Sequence, residues 1–399
     1  MLNPRLQGLK DYPFQRLRNL LDSHKTPSNL KPINLSIGEP QHPFPAFVGE
    51  LLQAKAGDLG QYPPLNGTAE FRAAVVAWLN RRYRLPAGMI DGERHVLPLA
   101  GTREGLFMLA LAVVPESKAG LRPVVAMPDP FYQCYAGAAA AAGAEAVFLP
   151  ATAENNFLPE LDALDRPTLE RMALFYLCTP ANPQGTVADL DYLCRAIDLA
   201  RRYDFVLAVD ECYAEIYDEV APPGGLEACA RSRDLKNVVV FHSLSKRSSV
   251  PGLRSGFCAG DGDILAAFSR LRSYGAAGTP LPVFAAATAL WRDEAHVDAN
   301  RARYREKFNI AQSVIGNRYG FYRPAGGFYL WLDVGDGEAA AEALWRKAAL
   351  RTLPGRYLSR ENDDGGGARP GTAFPYLRIA LVPDAATTRE AMERVRDTL

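Results

Sequence analysis

An alternation of short apolar runs with longer helical stretches constrains this chain more than any other feature, and it extends from about residue 57 to about residue 282. Residues 124–127 and 205–209 are short runs of the kind that a parallel sheet buries on both faces. Residues 136–144 and 189–203 have the composition of connecting helices. The alternation predicts an α/β large domain with a mainly parallel sheet.

The remainder of the chain predicts a smaller α+β domain, to which the N-terminal segment also contributes. We expect a long connecting helix over residues 285–308, a strand over 326–334, a helix over 338–350 and a further strand around Arg378. Residues 363–371 are expected to form a mobile surface loop, because three glycines followed by a proline cannot support a regular element.

Chain length permits this division, since 399 residues with 48% hydrophobic side chains can bury more than one core. The predicted boundaries place the large domain at residues 50–285. The small domain combines residues 1–49 with residues 286–399.

Composition argues against several classes of partner. The net charge is zero, with 45 basic and 45 acidic side chains, so no field for nucleic acid or an anionic membrane is indicated. The first ten residues lack an uninterrupted apolar segment, and no later run approaches the length that spans a bilayer. We therefore expect a soluble, cytoplasmic protein without a nucleic-acid or membrane partner.

Neither disulfides nor a metal site are indicated. The six cysteines are scattered, mostly among apolar or small neighbours, and form no CxxC pair, which is typical of buried thiols. The five histidines are isolated, without HxH or HExxH spacing, so no metal is expected. No G-x-S-x-G segment supports a hydrolase triad.

The segment Ser243-Leu244-Ser245-Lys246 is followed by Arg254, eight residues after the lysine. A lysine that forms an imine with a phosphorylated aldehyde needs phosphate anchors nearby, and hydroxyls before it with a guanidinium after it supply them. Taken alone, such a short segment is more often a surface loop. In combination with the segments described next, it points to pyridoxal phosphate.

Two upstream segments strengthen that interpretation. Asp210 follows the apolar run 205–209, which places its carboxylate at the C-terminal end of a strand, where it could pair with a protonated pyridine nitrogen. Asn182 and Tyr213 could donate hydrogen bonds to the hydroxylate of the same ring. Each segment also has a simpler interpretation, with Asp210 as a helix N-cap and Asn182-Pro183 as a plain turn.

Taken together, the segments resemble class I/II aminotransferases of pyridoxal phosphate fold type I over nearly the whole chain. The resemblance implies a large domain with a mainly parallel seven-stranded sheet, a smaller α+β domain, pyridoxal phosphate as cofactor and transamination as activity. The family motifs carry over onto Asn182 for N-P-x-G, onto Asp210 and Tyr213 for D-x-x-Y, and onto Ser243, Ser245, Lys246 and Arg254 for the lysine motif.

The resemblance implies further cofactor contacts. A glycine-led turn at Gly101, Thr102 and Arg103 would open a helix whose first amides bind phosphate. Tyr132 is expected to stack on the pyridine ring, with Phe131 as the alternative. Tyr62 matches a tyrosine that reaches the phosphate of the neighbouring subunit, which implies a homodimer with shared sites.

Substrate contacts are implied in the same way. Arg378 matches the arginine that binds the substrate α-carboxylate, for which a planar guanidinium is suited. Asn182 is expected to contact the substrate as well as the cofactor, and Gly38 lies in a segment whose backbone approaches the same carboxylate.

Residues 12–18, 241–248 and 353–361 resemble bacterial N-succinyl-LL-diaminopimelate aminotransferases. This implies transfer between N-succinyl-LL-2,6-diaminopimelate and 2-oxoglutarate or glutamate in lysine biosynthesis. The succinyl carboxylate would need a second cation, for which Arg356 is the candidate, with Arg16 or Arg18 as alternatives.

Other functions remain open from the sequence. An aspartate, aromatic or other amino acid aminotransferase, or a pyridoxal phosphate-dependent C–S lyase, would keep the same lysine, aspartate and arginines. A transcription regulator with a related domain would need an additional basic module, which a net charge of zero does not favour. An inactive scaffold would be expected to lose Lys246 or Asp210, and both are present.

Overall fold

A seven-stranded sheet forms the centre of the computed structural model, which describes residues 3–360 and 371–399. The predicted loop at residues 363–371 falls almost entirely outside the described residues. The strands are β1 (Ile33–Asn34), β2 (Val96–Leu99), β3 (Val124–Asp129), β4 (Glu145–Pro150), β5 (Met172–Cys178), β6 (Val206–Asp210), β7 (Val238–Ser243), β8 (Gly256–Gly260), β9 (Tyr329–Asp333), β10 (Leu350–Arg351), β11 (Leu353–Pro354) and β12 (Tyr376–Ala380).

The helices flank the sheets and connect their strands. They are α1 (Pro13–Leu21), α2 (Ala46–Ala54), α3 (Ala69–Tyr83), α4 (Thr102–Val113), α5 (Gln133–Ala142), α6 (Arg166–Arg171), α7 (Leu190–Tyr203), α8 (Gly225–Ala230), α9 (Leu244–Arg247), α10 (Gly262–Gly275), α11 (Leu281–Arg292), α12 (Ala295–Ile315), α13 (Gly337–Ala348) and α14 (Ala385–Thr398).

The large sheet has the strand order β2-β8-β7-β6-β5-β3-β4. All neighbours are parallel except β8, which is antiparallel to both β7 and β2. The predicted α/β fold with a mainly parallel seven-stranded sheet is therefore confirmed. The parallel strands end at one edge of the sheet, where side chains from several strands meet.

Alternate residues of each central strand enter two different cores, as the period of a strand requires. On β6, Leu207 and Val209 pack with α3, α7 and α11, whereas Val206 and Ala208 pack with α4 and α5. Asp210, the last residue of the strand, lies on the same face as Val206 and Ala208. Its carboxylate therefore lies on the α4–α5 side of the sheet, which decides which helices it contacts.

A smaller α+β region packs around a separate core. Its sheet has the order β11-β12-β9, and β1 pairs in parallel with β10. Leu35 accepts a hydrogen bond from Ala380 N at 2.8 Å, so the N-terminal segment is bonded directly to the C-terminal strand. The domain boundaries predicted at residues 49/50 and 285/286 remain a prediction.

The helix expected over residues 285–308 is divided into α11 and α12. Asp293 has extended backbone angles, φ −96° and ψ 126°, and ends α11. Its carboxylate then accepts a hydrogen bond from His296 N at 3.1 Å, which satisfies an amide of the first turn of α12. The hydrophobic pattern alone predicts one continuous helix, and the capping contact of Asp293 divides it into two.

Three observations apply to the described part of the chain. All six cysteines have free thiols. No group of three or more histidine, cysteine, aspartate or glutamate side chains in residues 3–360 and 371–399 is arranged to hold a metal ion. Within the same residues, no helix combines the length and apolar character needed to cross a bilayer.

Candidate active site

A cavity of about 190 Å³ lies where the parallel strands of the large sheet end and the small region begins. A larger cavity of about 1040 Å³ contains none of the predicted site residues, because it lies near the opposite ends of the strands, at Val206 and Asn237. The predicted residues that line the smaller cavity are Gly38, Thr102, Arg103, Tyr132, Asn182, Asp210, Tyr213, Lys246 and Arg378.

Lys246 enters this cavity from α9, the one-turn helix that follows β7. Ser243 caps that helix by accepting a hydrogen bond from Ser245 N at 3.1 Å. The Lys246 ammonium donates to the Gly38 carbonyl and lies 5.4 Å from the ring centroid of Phe328. Burial disfavours the charged form and lowers the pKa of Lys246 to about 8. A minority of the amine is consequently neutral near physiological pH, far more than for an ordinary lysine.

Asp210 is the last residue of β6, the position expected from the apolar run, and is 5% exposed. Tyr135 donates its hydroxyl to Asp210 Oδ2 at 2.6 Å, and Cys212 N donates to Oδ1 at 3.2 Å. Burial raises the pKa of Asp210, whereas both hydrogen bonds favour its ionised form. The carboxylate is thus available to a cationic group that enters the cavity.

Arg378, on β12, is 3% exposed and faces the cavity from the small region. Its guanidinium donates to Asn182 Oδ1 at 3.0 Å and to the Ser36 carbonyl at 2.6 Å, and it lies 4.5 Å from the ring centroid of Tyr329. Its buried Nε has no hydrogen bond among the described residues. This guanidinium therefore combines neutral partners with an unsatisfied donor, which favours an anionic ligand.

Tyr213 stands on the Lys246 side of the same cavity. Its hydroxyl lies 3.0 Å from the Tyr329 hydroxyl, and the Lys246 ammonium lies 6.0 Å from its ring centroid. Asn182 and Tyr213 therefore present an amide and a hydroxyl to one space, together with the lysine and the aspartate.

An anion cradle lies beside the cavity at the start of α4. Gly101 precedes the helix with φ +88°, and no side chain caps the first turn. Arg254 donates to the carbonyls of Pro251 and Ala100, at 2.9 and 3.3 Å. Uncapped amides at the positive end of the helix dipole, together with a guanidinium, form a suitable site for phosphate.

Six predicted residues are not among those that line the cavity: Gly101 and Arg254 form the cradle beside it, Ser243 and Ser245 lie at the start of α9, and Tyr62 and Arg356 lie elsewhere. Tyr62 is fully exposed and touches no part of the cavity in its own chain. Arg356 forms an ion pair with Glu338 at 2.5 Å and lies 5.6 Å from the ring centroid of Phe374. The alternatives Arg16 and Arg18 are also absent from the lining.

Several lining residues were not identified from the sequence. Tyr135 follows Tyr132, the residue that precedes α5, by three residues, and the two ring centroids lie 5.6 Å apart, so this spacing could have indicated it. Tyr329 and Cys212 also line the cavity, as do Tyr12 and Phe14. Cys212 lies between the predicted Asp210 and Tyr213, whereas Tyr12, Phe14 and Tyr329 come from distant parts of the chain, for which local spacing carries no signal.

The groups present fit pyridoxal phosphate. A half-buried lysine of lowered pKa suits an aldehyde, a buried carboxylate suits a pyridinium, and the α4 cradle with Arg254 suits a phosphate. Gly101 supplies a specific indication, because a Cβ at this position would overlap the Arg254 guanidinium that completes the cradle.

Comparison with known proteins agrees with these features. The family model for aminotransferase class I and II matches residues 31–395. The LL-diaminopimelate aminotransferase of Syntrophobacter fumaroxidans is 32% identical, and the match covers 98% of this chain and 97% of that protein.

Solved structures agree as well. An aminotransferase of Neisseria meningitidis superposes with a TM-score of 0.92 at 39% identity and 99% coverage of both chains. A probable N-succinyldiaminopimelate aminotransferase of Thermus thermophilus superposes with a TM-score of 0.84 at 25% identity, covering 97% of this chain and 100% of that one. The chain therefore belongs to the class I and II aminotransferase family, whose members use pyridoxal phosphate to transfer amino groups between amino acids and keto acids.

Proposed function

We propose that the protein transfers an amino group between a diaminopimelate-type amino acid and 2-oxoglutarate, in the route to diaminopimelate and lysine. The observation that carries this proposal is a single cavity in which a lysine of lowered pKa, a buried carboxylate and a buried arginine lie together. In this proposal, Lys246 and Asp210 serve the cofactor, and Arg378 serves the substrate.

The cofactor would be held from three sides. Lys246 would bind it covalently, because its partly neutral amine is a nucleophile at ordinary pH. Asp210 would pair with the ring nitrogen, Asn182 and Tyr213 would contact the ring hydroxylate, and Tyr132 would stack on the ring. The phosphate would be held by Gly101, Thr102, Arg103, Ser243, Ser245 and Arg254.

When bound, pyridoxal phosphate withdraws electrons from the amino-bearing carbon of the substrate and carries the amino group between two half-reactions. Lys246, once displaced by the incoming amine, would remove the proton from the substrate Cα as a general base. Its lowered pKa supports this role, since an amine must be neutral to accept a proton.

Substrate orientation would follow from Arg378. Its guanidinium can bind a carboxylate through two parallel hydrogen bonds, which fixes direction as well as affinity. The Gly38 carbonyl accepts a hydrogen bond from Lys246 and the Ser36 carbonyl accepts one from Arg378, so the segment 36–38 contacts both the lysine and the arginine. This arrangement would present the Cα–H bond to the lysine.

The length of the substrate is the finer part of the proposal. LL-diaminopimelate carries a second carboxylate at the far end of its carbon chain, and N-succinyl-LL-2,6-diaminopimelate, expected from the sequence, carries that carboxylate and a third one on its succinyl group. The 32% identity to an LL-diaminopimelate aminotransferase supports LL-diaminopimelate as the donor. Among the described residues, the cations that line the cavity are Arg103, Lys246 and Arg378. Arg103 is therefore the alternative to Arg356 for the distal carboxylate, in which case the phosphate would be held without it.

We also propose a homodimer with shared active sites. Tyr62 is fully exposed in a single chain, with Leu59 nearby at 66% exposure. An exposed tyrosine beside an exposed leucine suits burial against a second copy. Tyr62 would then contact the phosphate in the partner's site.

A donor screen tests the proposal. Purified enzyme with pyridoxal phosphate and 2-oxoglutarate would be assayed for glutamate with N-succinyl-LL-diaminopimelate, LL-diaminopimelate, aspartate and aromatic amino acids. We expect at least one diaminopimelate compound to be the best donor. A preference for aspartate or aromatic donors would reject the substrate while keeping the reaction. Release of pyruvate and thiol from a cysteine conjugate, without glutamate formation, would instead indicate a C–S lyase.

A further inference from the structure

Tyr135 on α5 is completely buried, yet its hydroxyl reaches the cavity. Its ring stacks on Tyr176 at 4.5 Å between centroids and 8° between planes. The hydroxyl donates to Asp210 Oδ2 at 2.6 Å. The stack holds the ring, so the hydroxyl is held at one position relative to the carboxylate.

Asp210 needs such a donor because its surroundings favour the neutral acid. Burial penalises a carboxylate, and a hydrogen bond donated to the anion offsets that penalty. The Tyr135 hydroxyl and the Cys212 amide are bonded to opposite oxygens, which also restrains rotation of the carboxylate. The titratable groups that face it from neighbouring elements are Cys134, Tyr135, Cys178, Cys212 and His242.

We propose that Tyr135 is a positioning residue that keeps Asp210 ionised and oriented for the ring nitrogen of the bound cofactor. The inference rests on the proposed role of Asp210 as the partner of that nitrogen. Each carboxylate oxygen retains a second acceptor direction after binding Tyr135 and Cys212, so a donor in the cavity can still be accepted. A cationic partner is held by a carboxylate and only weakly by a carboxylic acid.

Tyr176 supplies a matched control within the same stacked pair. Its hydroxyl is equally buried but donates to the Leu106 carbonyl at 2.6 Å, away from Asp210. Tyr135→Phe and Tyr176→Phe each remove one buried tyrosine hydroxyl and keep both rings. A purely structural effect would be similar in the two variants, whereas an effect through Asp210 would appear only in Tyr135→Phe.

The affinity of the apoenzyme for pyridoxal phosphate, measured by fluorescence titration from pH 6 to pH 9, tests the inference. We expect Tyr135→Phe to bind roughly 10- to 100-fold more weakly, the loss of one hydrogen bond to a charged group. We expect Tyr176→Phe to stay within about twofold of wild type on the same scale. In Tyr135→Phe, the pH below which affinity falls should be higher than in wild type, because Asp210 loses a hydrogen bond that favours its ionised form. Tyr135→His keeps an N–H donor and should bind the cofactor more tightly than Tyr135→Phe.

The Asp210→Asn background separates this inference from the proposed function. If Asp210→Asn binds the cofactor as wild type does, the role of Asp210 fails and this inference fails with it. If Asp210→Asn binds weakly and Tyr135→Phe adds no further loss, Tyr135 acts through the carboxylate. An equal additional loss in both backgrounds, or the same loss in Tyr176→Phe, would overturn the positioning role while leaving that of Asp210 intact.

Discussion

Gly101 and Arg254 are in such close contact that a Cβ on residue 101 would lie 2.9 Å from Arg254 Cζ and closer still to Nη2. Glycine is also favoured there by its φ of +88°. The start of α4 and the connection between β7 and β8 therefore meet at a glycine, and this contact forms the anion cradle.

Gly101→Ala should weaken binding of pyridoxal phosphate to the apoenzyme by about 10- to 100-fold, because the guanidinium must move away from the helix start. Gly88→Ala is the control, since Gly88 has φ +75° and nothing within 4 Å of an added Cβ. Both variants should lose about 1–3 kcal/mol of unfolding free energy from backbone strain. Equal cofactor affinities in the two variants would argue against a phosphate at this position.

Attachment of pyridoxal phosphate to the apoenzyme should depend on pH with a midpoint near 8. Burial lowers the pKa of Lys246 to about 8, and only the neutral amine attacks the aldehyde, so the rate should increase as pH rises and level off above the pKa. Below the midpoint the increase should be about tenfold per pH unit. Stopped-flow absorbance measures this rate. Lys246→Arg should show no attachment, and a wild-type midpoint near the ordinary lysine value of 10.5 would contradict the environment described for Lys246.

Substitutions of three arginines should separate the two ends of the substrate. Arg378→Ala should lower kcat/KM for every amino donor, since each presents an α-carboxylate. Loss of the residue that reads the distal carboxylate should cost about 1.5–3 kcal/mol for a diaminopimelate donor and much less for a short amino acid. Arg103→Ala and Arg356→Ala should be compared on both donors. Whichever variant shows this selective loss identifies the residue, and unselective losses in both would exclude the pair.

Mixed dimers test whether Tyr62 acts across an interface. Tyr62→Phe should weaken cofactor retention, and Lys246→Ala should abolish covalent attachment. If Tyr62 reaches the partner's phosphate, one site of a mixed dimer combines an intact lysine with an intact tyrosine and should recover activity. Absorbance and turnover of purified mixed dimers measure the recovery. Mixed dimers without this recovery would mean that Tyr62 serves its own chain, whereas unchanged cofactor retention in Tyr62→Phe alone would mean that it serves no site.

Much of the fold could be predicted because its signal is local. The apolar run before Asp210 indicates a buried strand, and the carboxyl ends of parallel strands meet at one edge of a sheet. Lys246 and Arg254 are likewise only eight residues apart, so their motif can be recognised within one short segment. The sequence does not indicate the break at Asp293. The apolar pattern continues through this residue, and a single capping aspartate is a weaker sequence signal than that pattern.

Other contacts could not be read from the sequence because they join distant segments. Tyr135 and Asp210 are 75 residues apart. The ion pair of Arg356 with Glu338 depends on how α13 packs against the segment after β11, which no local pattern specifies. A sequence therefore indicates which residues have the chemistry that a site needs. It indicates less readily which distant residues position them.

The antiparallel pairing of β7 with β8 has a consequence for the order in which the site assembles. Ser243 pairs directly with Gly256, so the connection carrying Lys246 and Arg254 closes on itself within a short stretch of chain. A short loop loses little entropy on closing, and local contacts are favoured early in folding. Arg378 and Ser36, in contrast, are 342 residues apart. The lysine and its neighbouring arginine can therefore take up their relative positions before the two ends of the chain have met, whereas the pocket for the substrate carboxylate cannot form until they have.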